Sequence, residues 1–206
     1  MLVSEIQVYF DGLCQPYNPG GIACYAYVIL AEGQQYSDCG LAAEPFTDNA
    51  TNNLAEYTGI IKALEWLLTN KYNNQKITVR GDSRLVINQI NGKWKVKTIT
   101  IISLHQKAMS LIPEFKDIQI EWVPRDKNKE ADILSNRAYQ EVLENDPKLL
   151  QKSIQHMATE QQLSLLKNLG IAPERYLSKI EAKRLISKAI KNQGSEEEII
   201  KTKFRQ

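Results

Sequence analysis

Histidine and cysteine are scarce in this 206-residue chain, with two of the first and three of the second. Cys14, Cys24 and Cys39 are odd in number and crowd into the first fifth of the sequence. A disulfide framework needs pairs, so reduced thiols in a cytoplasmic protein are expected. There is no CxxC and no Cys/His cluster, which argues against zinc. No apolar run nears the roughly 18 residues that span a bilayer, so no membrane attachment is expected. Residues 1–8 lack the basic start and apolar stretch of a secretory leader. What is present is ordinary for a folded soluble protein: 43% hydrophobic and 24% charged residues. The length accommodates one domain of common size and a smaller one.

The net charge of +2 conceals a division. Residues 1–146 hold 14 Lys and Arg against 18 Asp and Glu, and residues 147–206 hold 12 against 6. A mildly acidic body is followed by a basic segment, with Asp146-Pro147 as the natural break.

Hydrophobic periodicity orders the body. Glu5–Phe10 alternates as a strand that Asp11-Gly12 is expected to end. Residues 22–30 read as a buried strand, and Glu32-Gly33 turns it into a third strand over 34–41. Leu54, Tyr57, Ile60, Ile61, Leu64, Leu67 and Leu68 recur at helical spacing over 53–69. A short strand at 76–80, helices at 83–90 and 99–111, a strand at 118–123 and a helix at 129–144 follow. The order βββαβααβα predicts an α/β fold with a mixed sheet flanked by helices. The basic segment reads as a small all-helical domain. Thr159–Leu169 is one helix, stopped by Gly170. A second is capped by Ser178 with Glu181 three residues on, a capping-box pattern, and runs to about Lys191. Residues 194–206 are expected to fray.

Four acids stand at element ends: Asp11 and Asp82 after strands, Glu56 and Asp132 in the first turns of helices. Each alone has an ordinary reading. An Asp after a strand forms turns, and an acid early in a helix favours the dipole. Together, at the carboxyl edge of a sheet, they form a plausible ligand site. Crowded carboxylates must hold cations or shift their pKa values. An all-oxygen donor set suits Mg²⁺ or Mn²⁺, and two such ions serve in-line phosphoryl transfer.

The segments YFDG, ATNNLAEYTGIIKALEW, VRGDSRLVINQI and EWVPRDKNKEADILSNRAY carry a resemblance. In that order and at those intervals, over about residues 5–145, they resemble type 1 ribonuclease H. The resemblance implies the ribonuclease H-like fold and five-stranded sheet. It implies Asp11, Glu56, Asp82 and Asp132 as catalytic ligands of two Mg²⁺, with Mn²⁺ as a substitute. It further implies cleavage of the RNA strand of an RNA–DNA hybrid, leaving 5′-phosphate and 3′-hydroxyl ends; a monomer is expected. By the same resemblance Gly12, Cys14 and Asn18 belong to a substrate loop, and Thr51, Asn52 and Asn53 to a helix start that contacts the hybrid. Those last three also suit an N-cap. Arg84 stands where bacterial members commonly carry Gln, and either meets a phosphate or remains a solvated charge. Trp94, flanked by Lys93, Lys95 and Lys97, either contacts the DNA strand or packs in a turn. Asn128, in the loop before the last acid, is a further expected substrate contact.

Two departures from the family accompany these matches. The basic protrusion of the well-studied bacterial and animal enzymes is missing. So is the His that many relatives carry in the loop before the last acid, where this chain has Arg125-Asp126-Lys127. His105 and His156 do not align with it. Residues 157–191 loosely resemble a helix-turn-helix-like element appended to phage and bacterial nucleic-acid proteins. Leu163, Leu166, Leu169, Leu177, Ile180, Leu185, Ile186 and Ile190 would form its core. Lys179, Lys183, Arg184 and Lys188 would offer a basic face to nucleic acid, or the segment binds a protein or packs on the body. Two other readings remain for the whole chain: a non-catalytic hybrid-binding module, and a related metal nuclease acting on other nucleic-acid structures.

Overall fold

The structure is a computed structural model and describes residues 5–203. It divides into two compact units, residues 1–147 and 148–206.

In the first unit, β1 (Ile6–Gln15), β2 (Ile22–Ala31) and β3 (Gln34–Leu41) form an antiparallel meander. The β2–β3 turn places Glu32 at φ 55° and Gly33 at φ 77°, the left-handed pair that a two-residue hairpin requires. Helix α1 (Asn52–Thr69) crosses over to β4 (Lys76–Gly81), which runs parallel to β1. Then come α2 (Arg84–Ile90), α3 (Ile99–Leu111), β5 (Asp117–Trp122), parallel to β4, and α4 (Lys129–Asn145). The strand order is β3-β2-β1-β4-β5, the mixed five-stranded sheet expected.

One correction concerns β1. Asp11-Gly12 does not end it. The strand continues to Gln15 because β2 supplies partners throughout, with Asp11 opposite Ala26 and Gly12 opposite Tyr25. The parallel ladder with β4 stops at Phe10 opposite Gly81. Asp11 therefore lies within a strand, but just past the end of its parallel neighbour.

Alternation sorts the two faces of the sheet. Ile6, Val8, Phe10, Ile77 and Val79 are buried with Tyr57, Ile60, Leu64 and Leu67 of α1, in a core that α2 and α3 extend. Each such side chain removed from water stabilises by about 1.5–3 kcal/mol. Asp11 faces the other side, where α4 packs on β1–β3. Three glycines set the closeness. A Cβ on Gly59 would lie 2.9 Å from the Ala26 carbonyl oxygen, and one on Gly81 2.5 Å from the Phe10 ring. At Gly12 it would lie 2.2 Å from the Glu56 backbone nitrogen.

The second unit contains most of α5 (Pro147–Ile154), α6 (Glu160–Asn168) and α7 (Lys179–Lys203). Helix α5 was not anticipated as a separate element. The reciprocal capping box forms at Thr159 and Gln162, not at Ser178. Ser178 accepts the Glu181 N–H, but the Glu181 carboxylate binds Arg184. Helix α7 extends to Lys203 rather than ending near Lys191, because a single Gly194 in a run of good helix formers costs only about 1 kcal/mol. Fraying of residues 204–206 lies outside the described residues. Leu166, Leu177 and Ala182 form the centre, with Leu163, Leu185 and Ile186 against them. Ile180 and Ile190, expected inside, are 64% and 54% exposed. Among the described residues, no helix is long and apolar enough to cross a membrane.

Candidate active site

Asp11, within β1, and Asp82, just after β4, both stand where the β1–β4 ladder ends, one residue beyond the Phe10–Gly81 pair. Asn128 closes that end. Its amide donates to the Phe10 carbonyl (2.9 Å) and to Asp82 Oδ1 (3.1 Å), standing in for the strand residue that is not there. The Trp122 indole N–H donates to the Asp82 carbonyl at 3.1 Å. Glu56 arrives from α1 through the close approach at Gly12, and Asp132 from the first turn of α4.

Each carboxylate has a distinct environment. Asp11 is buried and accepts a 2.5 Å hydrogen bond from Ser135. Glu56 is equally buried; Asn52 donates to its Oε1 at 3.0 Å, while Oε2 has no partner. Asn128 holds Asp82, and Arg125 forms an ion pair with the half-exposed Asp132. Burial, chiefly, pushes the Glu56 carboxyl up to about 8, with Asp11 and Asp82 adding to the rise against the Ser83 and Asn52 side chains. Burial likewise raises Asp11, opposed by the Ser135 hydroxyl and reinforced by Asp82 and Asp132. The acids thus act on one another, as carboxylates gathered at one edge should.

The donor set fits a hard divalent cation. It is all oxygen, and the buried, unpartnered Glu56 Oε2 is an acceptor that lacks a positive group. Asp11, Glu56, Asp82 and Asp132 are the residues that would hold one. Their oxygens do not yet converge: among the described residues, no three His, Cys, Asp or Glu side chains close on a single point. Asp11 turns to Ser135 and Asp132 to Arg125 instead.

Raised carboxyl pKa values mean that the folded state holds protons the unfolded chain gives up. This costs stability as pH climbs from the ordinary carboxylate range toward 8. In chelator, Glu56→Gln is therefore expected to be more stable than the parent at pH 8, on the order of 3 kcal/mol, with little difference at pH 4. Urea unfolding followed by fluorescence would check this, since all three tryptophans, Trp66, Trp94 and Trp122, lie in the first unit.

The other residues expected at the site divide. Thr51 caps α1 by accepting the Leu54 N–H (3.1 Å). The Asn52 N–H donates to exposed Asn18 (3.1 Å), so the loop after β1, the helix start and Glu56 form one chain of hydrogen bonds. Asn53 is half-buried on the same turn. Arg84 is exposed beside Asp82, and Trp94 is exposed at a separate hollow lined by Gln89, Val96, Ile102, His105 and Met109. Three residues leave the list of substrate contacts. Cys14 is 7% exposed and donates its thiol to the Ala50 (3.2 Å) and Tyr17 (3.3 Å) carbonyls. Burial raises its pKa, so it is a poor candidate for oxidation control. Gly12 lies under α1, and Asn128 is 1% exposed as the clasp just described. His105 meets the Gln89 carbonyl and the Tyr57 ring edge, a packing role. Sequence reasoning missed Ser135 and Trp122. Ser135 follows Asp132 by three residues and shares its helical face, but the bond it makes to Asp11 spans 124 residues. In the second unit Lys183, Arg184 and Lys188 are exposed, and Lys179 donates to the Gln155 carbonyl at 2.7 Å.

Comparison with known proteins agrees with this fold. A bifunctional protein of Mycobacterium tuberculosis is 37% identical over 121 residues, 59% of this chain and 32% of its own length. Ribonuclease HI of Halobacterium salinarum is 35% identical over 136 residues, covering 65% and 64% of the two chains. This chain thus spans about a third of the first curated relatives it matches. Among solved structures, the N-terminal RNase H domain of the mycobacterial protein superposes with a TM-score of 0.57 at 31% identity, covering 68% of this chain and 97% of that one. LC11-RNase H1 in complex with an RNA/DNA hybrid gives 0.59 at 33%, covering 67% and 99%. Residues 10–138 match the family described as reverse transcriptase-like. With a ribonuclease H-like domain of the type 1 kind over that span, the chain belongs to the reverse transcriptase-like family.

Proposed function

We propose that this protein is a metal-dependent endoribonuclease that hydrolyses the RNA strand of RNA–DNA hybrids. One observation carries the reading: Asp11 and Asp82 leave the end of the β1–β4 ladder together, and Glu56 and Asp132 are brought to the same edge from two helices. A hybrid-binding module gains nothing from clustered negative charge near phosphates. Asp11, Glu56, Asp82 and Asp132 would hold a pair of Mg²⁺ ions, or Mn²⁺ in their place, which would supply activation of a water and stabilisation of the leaving oxygen; the products would carry 5′-phosphate and 3′-hydroxyl ends. The protein's own part is to fix the acids. Asn128 and Trp122 hold Asp82, Ser135 holds Asp11, and Asn52 holds Glu56. Arg125 pairs with Asp132 and offsets its charge. The hybrid as substrate is supported by the relative solved with an RNA/DNA hybrid.

The test is cleavage of one end-labelled RNA, offered single-stranded, as duplex RNA and as RNA–DNA hybrid, with Mg²⁺, Mn²⁺ or chelator. Metal-dependent internal cuts confined to the hybrid are expected. No cuts in any form, with the hybrid still bound, would overturn the nuclease reading in favour of a binding module.

Residues 1–146 would then be the catalytic domain and 147–206 a separate basic helical domain that tethers nucleic acid. Exposed Lys183 and Lys188 support that role. A tether raises effective concentration without altering the chemistry. Deleting residues 148–206 is expected to weaken hybrid binding and lower the slope of log affinity against log salt by about one to three. An unchanged slope in a salt titration would dismiss the tether. A cytoplasmic location accords with three unpaired cysteines.

A further inference from the structure

Arg84 lies two residues past Asp82, at the start of α2, and is exposed. Its guanidinium rests 4.3 Å from the centre of the Trp122 ring. Trp122 ends β5 opposite Gly81, and its indole N–H holds the Asp82 carbonyl. One side chain therefore touches both the cation and the backbone of the acid.

Two features show that this arrangement does more than fill space. Trp122 is 39% exposed on an edge strand, where a large ring gains little by burial. The other contrast is among the arginines. Arg80 pairs with Glu121, Arg125 with Asp132, Arg137 with Glu141 and Arg184 with Glu181. Arg84, beside a cluster of acids, forms no ion pair among the described residues and rests on a ring instead. A guanidinium held over a ring by its face keeps its N–H edge available, and that edge is what grips a phosphate by two hydrogen bonds.

We propose that Trp122 is a positioning residue: its ring carries Arg84 beside Asp82, where the guanidinium binds a phosphate of the RNA strand, and its N–H fixes Asp82. This rests on the hybrid-cleavage reading above and names how that site grips its substrate. The two halves of the Trp122 side chain then have separable effects. Arg84→Ala removes the phosphate contact. It is expected to raise KM about tenfold with kcat within about twofold, and to lower the salt slope of hybrid binding by about one. Arg84→Lys restores little, because an ammonium lacks the planar fork. Trp122→Phe keeps a ring under Arg84 but loses the N–H, so kcat falls several-fold while KM holds. Trp122→Leu raises KM as Arg84→Ala does, and the double variant Arg84→Ala/Trp122→Leu has a KM no higher than the worse single variant.

Steady-state hybrid cleavage with these variants is the experiment. An unchanged KM in Arg84→Ala, or additive KM effects in the double variant, would overturn the proposal. Should Trp122→Leu fail to fold in a thermal melt, Arg84→Ala and Trp122→Phe alone decide, because their effects fall on different constants. A parent enzyme that cuts no hybrid refutes the parent reading instead. Anisotropy of a labelled hybrid then compares Arg84→Ala with the parent, and equal affinity refutes the phosphate contact itself.

Discussion

Replacing Asp82 with asparagine is expected to reduce hybrid cleavage by about 10³-fold or more while hybrid affinity stays within a few-fold. Asparagine is nearly the same size, and the surroundings accept it. The Asn128 amide still finds an acceptor oxygen, and the Trp122 N–H bonds to the backbone carbonyl, which the substitution does not touch. What disappears is one negative charge at the edge where four acids meet. A loss of 10³ corresponds to about 4 kcal/mol in the barrier, the scale of a group that faces developing charge, not of a distant packing contact. On the proposed reading, binding would rest on other groups: Arg84, the Asn-rich start of α1, and the basic second unit. Cleavage at near parental rate in Mg²⁺, measured on an end-labelled hybrid, would remove Asp82 from the machinery. A variant that neither cleaves nor binds would show that the substitution had damaged the substrate surface.

Gly12→Ala is expected to have the largest effect on folding. The added methyl would stand 2.2 Å from the Glu56 nitrogen, 2.6 Å from the Ala55 carbonyl carbon and 2.8 Å from the Ala55 Cβ. Two of those atoms are backbone in a helix, so no side chain can swing away. Either α1 retreats from β1 by an ångström or more, or the strand bends. Such overpacking costs about 3 kcal/mol or more. It also draws Glu56 away from Asp11, and a displacement of about 1 Å costs on the order of 10²-fold in rate. A melt and a cleavage assay on the same sample should both fall. Gly33→Ala is the control. Its Cβ meets nothing within 4 Å, and its φ of 77° leaves only a local turn penalty of about 1 kcal/mol. A Gly12→Ala protein as stable as the parent would mean that β1 and α1 do not approach this closely.

The sheet and its helices were legible because their signals are long. The 22–30 run and the repeating apolar positions of α1 each exceed what a turn or bend can mimic. The end of β1 was misread because Asp-Gly is a turn former locally, while a partner strand that sets Ala26 opposite Asp11 and Tyr25 opposite Gly12 overrides it. The four acids were legible as a set, since residue type and position at element ends can be read directly. Their partners were not. Ser135, Trp122 and Arg125 act through contacts at sequence separations of 124, 40 and 7 residues, which one sequence does not display. Cys14 and Asn128 were misassigned for a related reason. Proximity along the chain to a candidate acid says nothing of which way a side chain turns, and both turn inward. In the second unit, Ile180 and Ile190 fit a helical stripe, yet the stripe that packs runs through Ala182, Leu185 and Ile186.

The alignment of Phe10 with Gly81 also bears on how this chain can change length over generations. Asp11 and Asp82 are neighbours because two strands from distant parts of the sequence stop pairing at the same rung. Insertions or deletions at the hairpin of residues 32–33, or in the segment at 42–51, leave that rung untouched. One lost residue between Lys76 and Asp82 would instead turn every following side chain to the opposite face and withdraw the second aspartate from the first. Descendants of this sequence should therefore differ in size at those outer connections while the six residues of β4 keep their number.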